Sequence, residues 1–410
     1  MIRKACLFGL AISTMASAQT RRLNMTQFVV LGEGLAAGVT DFGIRKEVQE
    51  RTFAAIIAKQ AGTPFPQAFL QGPGIAIVPG VPTLPAIFPN VRQTTVREGD
   101  PPNLFTFNLS VPGLRLSDAI GRRPIEPLIQ PKDPLQTAVN LVLGYPALVV
   151  GKGKPAWTQI EYAEFMNPTF AIVELGYYEA IDAAAAGTVD RMRDPAAFRT
   201  DLATILTRLK RNFAEVMVAN IPDPFDTGYF TTVEAATRYV GTPTDSLLRT
   251  YGLQRGDFVT PAGLMAIGGQ NLAKRTGGLP GGSFIRAAAA AAVRARVQAI
   301  NTEIATAAQQ NNAVLYDLAA LVRNIRASGV LISNRQYTAD FLGGIYTLNG
   351  FYPGTLGHAL IANDMLALIN RTYGTNFATV SLASAIATDP AGRRVAPFSR
   401  REPASNAATE

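Results

Sequence analysis

The stretch "QFVVLGEGLAAGVTDFG", residues 27–43, decides how this chain folds. Phe28 to Leu31 is a short, wholly apolar, β-rich run of the kind a strand shows when both faces are covered. Gly32 and Gly34 bound a tight turn, and Leu35, Ala36 and Ala37 begin a helix of small residues. In open α/β sheets, ligands and reactive side chains gather beyond the carboxyl ends of the strands. The residue at the tip of this turn is Gly34, which has no side chain.

Four more runs repeat the pattern: Phe105–Leu109, Phe170–Leu175, Val216–Asn220 and Val314–Asp317. Amphipathic helical patterns alternate with them over Lys46–Gln60, Pro195–Asn212, Phe284–Gln310 and Gly357–Tyr373. Apolar strands alternating with helices predict a parallel sheet covered on both faces. The alanine-rich run from Arg286 is a strong helix former. It lacks the bulky apolar residues of a membrane span. Two stretches break the alternation. Residues 63–103 are crowded with Pro and Gly and read as an irregular excursion. Residues 224–283 are a second excursion, ending in "TGGLPGGS". Long connections at a sheet edge build lids or pocket walls, or simply decorate the surface.

The first 18 residues read as an export leader. Arg3 and Lys4 precede a short apolar core, and Ala16 and Ala18 form an Ala-x-Ala cleavage site, so the mature chain is expected to start at Gln19. No later apolar run approaches the ~20 residues of a membrane span. The single cysteine, Cys6, falls inside the leader, so the mature chain is expected to hold no disulfide. The formal charge falls from +8 to about +6 on processing, since Arg3 and Lys4 leave and no acid does. Basic residues are scattered. The densest group, Arg208, Lys210 and Arg211, closes a predicted helix, where cations suit the dipole. Nothing resembles a nucleic-acid-binding stripe. A single histidine with no mature cysteine argues against a metal site, and no cofactor is expected. From Ser381 onward the apolar pattern fades, and residues 381–410 are expected to be an unstructured tail.

With these elements in order, residues 19–380 resemble the SGNH/GDSL hydrolase family of lipases and esterases. "LGEGLAAG" is similar to the family's Gly-Asp-Ser-Leu block, and "FNLSVPG" to the block ending in an oxyanion-hole glycine, here Gly113. "PTFAIVELGYYEA" is similar to the Gly-x-Asn-Asp block, and "YTLNGFYPGTLGHALIANDMLALINRTYG" to the Asp-Gly-x-His block with its trailing helix. "VANIPDPFDTGYF" fits the family's strand-to-loop passage. The resemblance implies a three-layer α/β/α sandwich around a parallel sheet of about five strands in flavodoxin-like order, with insertions near 63–103 and 224–283.

It also implies a site without its chemistry. Gly34 stands at the position of the family's nucleophilic serine, and Glu33 at that of the aspartate before it. Tyr178 stands for the oxyanion-hole asparagine, with Glu179 after it. Asn349 stands for the catalytic aspartate and Tyr352 for the catalytic histidine. Acyl transfer by this route needs a hydroxyl, an imidazole, a carboxylate to orient it and N–H donors for the oxyanion. Of these only Gly113 matches, through its backbone. His358, the sole histidine, lies six residues after Tyr352. It is either a surrogate acid/base or a structural histidine at the start of the last helix. Glu33 and Glu179 are expected to lie near each other, as an acid/base pair or as acceptors for turn N–H groups. Tyr177, Tyr178 and Tyr352 add aromatic mass that either fills the pocket or forms a stacking floor for a sugar or acyl chain.

Three functions follow. The protein is a secreted, catalytically silent homologue that binds a glycan, acyl chain or other small ligand. Alternatively it is a hydrolase working through Glu33, Glu179 or His358. The third reading is a structural envelope protein. Its expected location is the periplasm, the cell surface or the medium.

Overall fold

The computed structural model describes residues 23–41, 43–71, 78–80, 96–97, 104–149, 155–211 and 213–389. The expected leader, most of the 63–103 excursion and residues 390–410 lie outside them. The central sheet holds four parallel strands, β1 (Phe28–Gly32), β2 (Phe170–Glu174), β3 (Glu215–Ala219) and β4 (Val314–Tyr316), in that spatial order. Phe28 pairs with Phe170 and Gly32 with Glu174, so β1 and β2 end level with each other. Every residue of β1 and β2 is buried, as expected of strands covered on both faces.

The helices that matter for the site are α1 (Gly34–Ala37), α2 (Phe53–Ala61), α3 (Gln159–Met166), α4 (Tyr177–Ala186), α5 (Pro195–Arg211), α6 (Ala287–Gln310) and α7 (Thr355–Tyr373). α5 packs on α3 and α6, while α2 packs on α7. Phe170 of β2 meets the edge of Tyr373 of α7 at 6.3 Å. The helix expected over Lys46–Gln60 is broken in two, Lys46–Gln49 and α2. The reason is local: the Thr52 hydroxyl accepts a hydrogen bond from Ala55 N and starts a new helix.

The expected fifth strand, Phe105–Leu109, is reduced to a parallel bridge between Asn108 and Val30. Val30 N donates to Phe107 O and Leu109 N to Val30 O, so this segment still lies along the outer edge of β1. Polar side chains divert the rest. The Thr106 hydroxyl donates to Asn108 O at 2.8 Å, and Asn108 Oδ1 accepts from Ser110 N. Such local bonds compete with a ladder. Counting this edge segment, the chain order across the sheet is 2-1-3-4-5, the flavodoxin-like order.

The 224–283 excursion is no irregular loop. It contains the helices Val233–Val240, Thr244–Tyr251 and Pro261–Leu272. Thr231–Thr232 and Phe258–Val259 join Phe284–Ile285 in a small antiparallel sheet. Val233, Ala236, Leu247, Val259, Leu264 and Ile267 give it a core of its own. The segment expected to be unstructured from Ser381 also begins with a helix, Leu382–Ala387. Ser381 caps it by accepting from Ser384 N, and Leu382 and Ile386 pack on a buried cluster around Ile345.

Candidate functional site

The site forms where β1 and β2 end side by side. At Gly32 the chain leaves the sheet, and Glu33 caps α1 by accepting a hydrogen bond from Gly34 N. Gly34 is the first residue of α1 and does not have a positive φ. Glycine is therefore not demanded there by backbone geometry. What forbids a side chain is a neighbour: a Cβ on Gly34 would collide with the hydroxyl oxygen of Tyr352 and lie only 2.6 Å from its Cζ.

Tyr352 is fully buried. Its hydroxyl donates to Glu33 Oε2 at 3.1 Å, and its ring meets that of Tyr177 edge-on at 5.9 Å. Tyr177 in turn donates to Phe351 O at 2.7 Å. Asn349 Oδ1 accepts from the N–H groups of Phe351 and Tyr352, both at 2.9 Å, which fixes the turn that delivers the phenol. Gly350 at φ 76° lets this turn pass the Tyr229 backbone, which a Cβ would meet at 2.6 Å. Asn349 thus orients backbone, not an imidazole.

Gly113 has φ 80° and forms the turn after the edge segment, whose Val111 N donates to Gly32 O. Two residues on, the Arg115 guanidinium stands 5.7 Å over the Tyr178 ring and pairs with Asp182. Arg191 binds the other oxygen of Asp182. Gly34, Gly113, Tyr178 and Tyr352 therefore gather around one end of the sheet. α4, which carries Tyr178, starts at Gly176 with φ 101°, where a Cβ would sit 2.8 Å from Ile221 and Phe198.

Two of the expected arrangements differ. Glu179 does not pair with Glu33. Its Oε1 accepts from Leu116 N and its Oε2 from Arg193 N, both at 3.1 Å, so it ties the start of the helix Leu116–Gly121 and the segment at Arg193 to α4. The carboxyl that meets Glu33 is Glu174, the last residue of β2, within hydrogen-bonding reach of it. Glu174 Oε2 also accepts from Glu33 N and Ala36 N. Burial pushes the Glu33 carboxyl up to about 7, against hydrogen bonds from Glu174, Gly34 and Tyr352 that lower it. Burial and the adjacent Glu33 charge hold Glu174 well above the usual carboxylate range. Glu174 was overlooked in the sequence. Its signal was there: a single acid closing an otherwise apolar strand.

His358 lies in the first turn of α7, fully buried. Its partner is not local. Nδ1 accepts from Phe53 N at 3.4 Å, and the ring stacks on Phe53 at 6.2 Å. Burial lowers its pKa to about 3, so it is neutral at physiological pH. Among the described residues no group of acids, histidines or cysteines could hold a metal ion.

No protein-family profile matches the chain, and no curated protein does. Among solved structures the fold is similar to that of TesA, at 10% identity and TM-score 0.36, covering 84% of this chain and 98% of that one. It is similar to LAE5, an alpha/beta hydrolase enzyme from the metagenome of Lake Arreo, Spain, at 12% identity and TM-score 0.36, covering 85% and 95%. It is also similar to phospholipase A1 from Streptomyces albidoflavus NA297, at 10% identity and TM-score 0.35, covering 85% and 100%. At such values no activity transfers to this chain.

Proposed function

We propose that the protein is an exported, catalytically silent homologue of SGNH/GDSL hydrolases that uses the carboxyl end of its sheet to hold a small ligand. The observation that carries this reading is the position of Tyr352. Its phenol fills the space into which a nucleophile at residue 34 would project. A buried tyrosine bonded to a carboxyl is held well above its ordinary pKa by burial and by the Glu33 charge, which makes it a poor general base. The alternative acids and bases are each engaged: Glu33 is buried and accepts from Gly34 N and the Tyr352 hydroxyl, Glu179 accepts from Leu116 N and Arg193 N, and His358 accepts from Phe53 N. The Arg115 guanidinium, partly open to solvent over the buried Tyr178 ring, is the face left for a ligand such as a glycan or acyl chain.

The test has two arms. Purified mature protein is expected to release no chromophore from short-chain aryl esters; saturable turnover abolished by a serine-directed organophosphate would overturn the silent reading. A thermal-shift screen with glycans and fatty acids is expected to find a ligand that raises the melting temperature, and Arg115→Ala is expected to weaken that shift. No hit across the screen would favour the structural envelope role. Export is checked by the mass of the secreted chain, expected to begin at Gln19.

A further inference from the structure

We propose that Glu33 and Glu174 share a single proton in the folded protein, and that this proton latches the turn between β1 and α1 in a pH-dependent way. The proposal goes beyond ligand binding and does not depend on which ligand the site takes.

The geometry asks for one negative charge and one proton. Both carboxyls are buried, Glu33 completely and Glu174 to 2% exposure. The fixed donors around them are the N–H groups of Glu33, Gly34, Leu35 and Ala36 and the Tyr352 hydroxyl. These suit one carboxylate at the N-terminus of a helix. A second buried charge in contact with the first would be uncompensated. Among the described residues no lysine, arginine or histidine bonds to either carboxyl. The charged and titratable groups facing the pair are the phenols of Tyr352, Tyr177 and Tyr178. The cation over Tyr178, Arg115, is already paired with Asp182. Glu33 Oε1 and the Ser110 hydroxyl are both buried without a hydrogen-bond partner. A Cβ on Gly32 would lie 2.7 Å from Ser110 Oγ and 3.1 Å from Glu174 Oε2, so Ser110 and Glu174 both reach Gly32 at the end of β1. Like charges sharing a dry site resolve the conflict by keeping one proton.

The consequence has a definite sign. Folded pKa values raised above the unfolded ones mean that the native state binds more protons. The pair's stabilisation is then fully present below the unfolded value of 4.5 and is lost as pH rises through the raised folded values, about 7 for Glu33 and well above the usual carboxylate range for Glu174. Loss of the proton to solvent leaves two carboxylates in contact. Their repulsion parts Glu33 from Glu174 and frees the α1 N-terminus that seats Tyr352.

The deciding experiment is infrared spectroscopy of the mature protein across pH, with melting curves and amide exchange alongside. Wild type is expected to show a protonated-carboxyl band at pH 6 that fades in alkali and is missing in Glu174→Gln. Exchange at Gly34 and Ala36, corrected for intrinsic base catalysis, is expected to rise about tenfold per pH unit above the titration. Glu174→Gln, whose amide can donate to Glu33 permanently, is expected to lose that dependence. No such band in wild type at pH 6, or equal pH slopes in both proteins, overturns the proposal. So does a rise in melting temperature at pH 8 on adding sodium or calcium that Glu174→Gln lacks, since a cation would then hold the pair together. If Glu174→Gln fails to fold, the wild-type band and its pH dependence decide alone.

Discussion

The ring carbon that bears the Tyr352 hydroxyl stands 2.6 Å from where a Cβ on Gly34 would be, although the two residues lie at opposite ends of the chain. The hydroxyl itself is anchored on Glu33, the neighbour of Gly34. The glycine and the tyrosine are thus one feature. The phenol occupies its place only because the glycine leaves it open.

Gly34→Ala is accordingly expected to destabilise by about 1–3 kcal/mol through overpacking, not through backbone strain, because Gly34 is helical. Combined with Tyr352→Ala the penalty at position 34 should largely vanish. Urea denaturation of the two single variants and the double variant measures the coupling. Additive losses would show that the phenol is not the obstacle.

If the proposed reading holds, giving the site ester-hydrolysing chemistry needs several changes at once. Gly34→Ser, Tyr178→Asn, Asn349→Asp and Tyr352→His together are expected to give faint ester hydrolysis. Each alone should give none, because such residues act as a unit. Tyr352→His also removes the phenol with which any side chain at position 34 would collide. A misplacement of about 1 Å costs roughly a hundredfold, so a sensitive fluorogenic ester is the substrate to use. A folded but wholly inactive quadruple variant would mean that the donors around Gly113 no longer face the reacting position.

Glu179 is a structural acceptor. Glu179→Ala is expected to cost about 2–4 kcal/mol, since it strands the N–H groups of Leu116 and Arg193. Glu179→Gln keeps one acceptor oxygen and should cost less. Chemical denaturation ranks them; equal losses would imply that only packing is at stake.

His358, as the only histidine, gives an isolated reporter. Its folded pKa is lowered to about 3 from 6.5 by burial. The unfolded chain therefore binds the extra proton first, and stability falls as pH drops from about 6.5 towards 3. The imidazole resonances of the native protein are expected to stay in the neutral form at pH 5. Protonation near pH 6.5 in the folded state would contradict its burial. This trend opposes that of the Glu33–Glu174 pair, so greatest stability is expected in mildly acidic solution.

Periodicity alone was enough for the scaffold. Phe28–Leu31, Phe170–Leu175, Val216–Asn220 and Val314–Asp317 announced the four strands, and the helical stripes gave α5, α6 and α7 within a few residues, because burial on both faces leaves an apolar signature. The edge segment at Asn108 was harder. Whether Thr106 and Asn108 spend their bonds on a ladder or on each other depends on neighbours such as Gln67 and Ala36. The core of the 224–283 unit was hidden for a related reason: its short helices bury apolar residues against each other rather than against the sheet.

By itself the sequence determined the apolar strands and most of the helices between them; which residues stand at the carboxyl end of the sheet was an expectation that rested on a family resemblance. Only the tertiary structure decided which of them touch. Strand register sets Gly32 level with Glu174, and so gives Glu33 a carboxyl partner at the end of the next strand. Glu179, in the first turn of α4, faces the backbone of Leu116 and Arg193 instead. His358 turns inward onto Phe53 because α7 packs on α2. Side-chain identity travels along the chain, but contact depends on strand pairing and helix rotation, which long-range packing fixes.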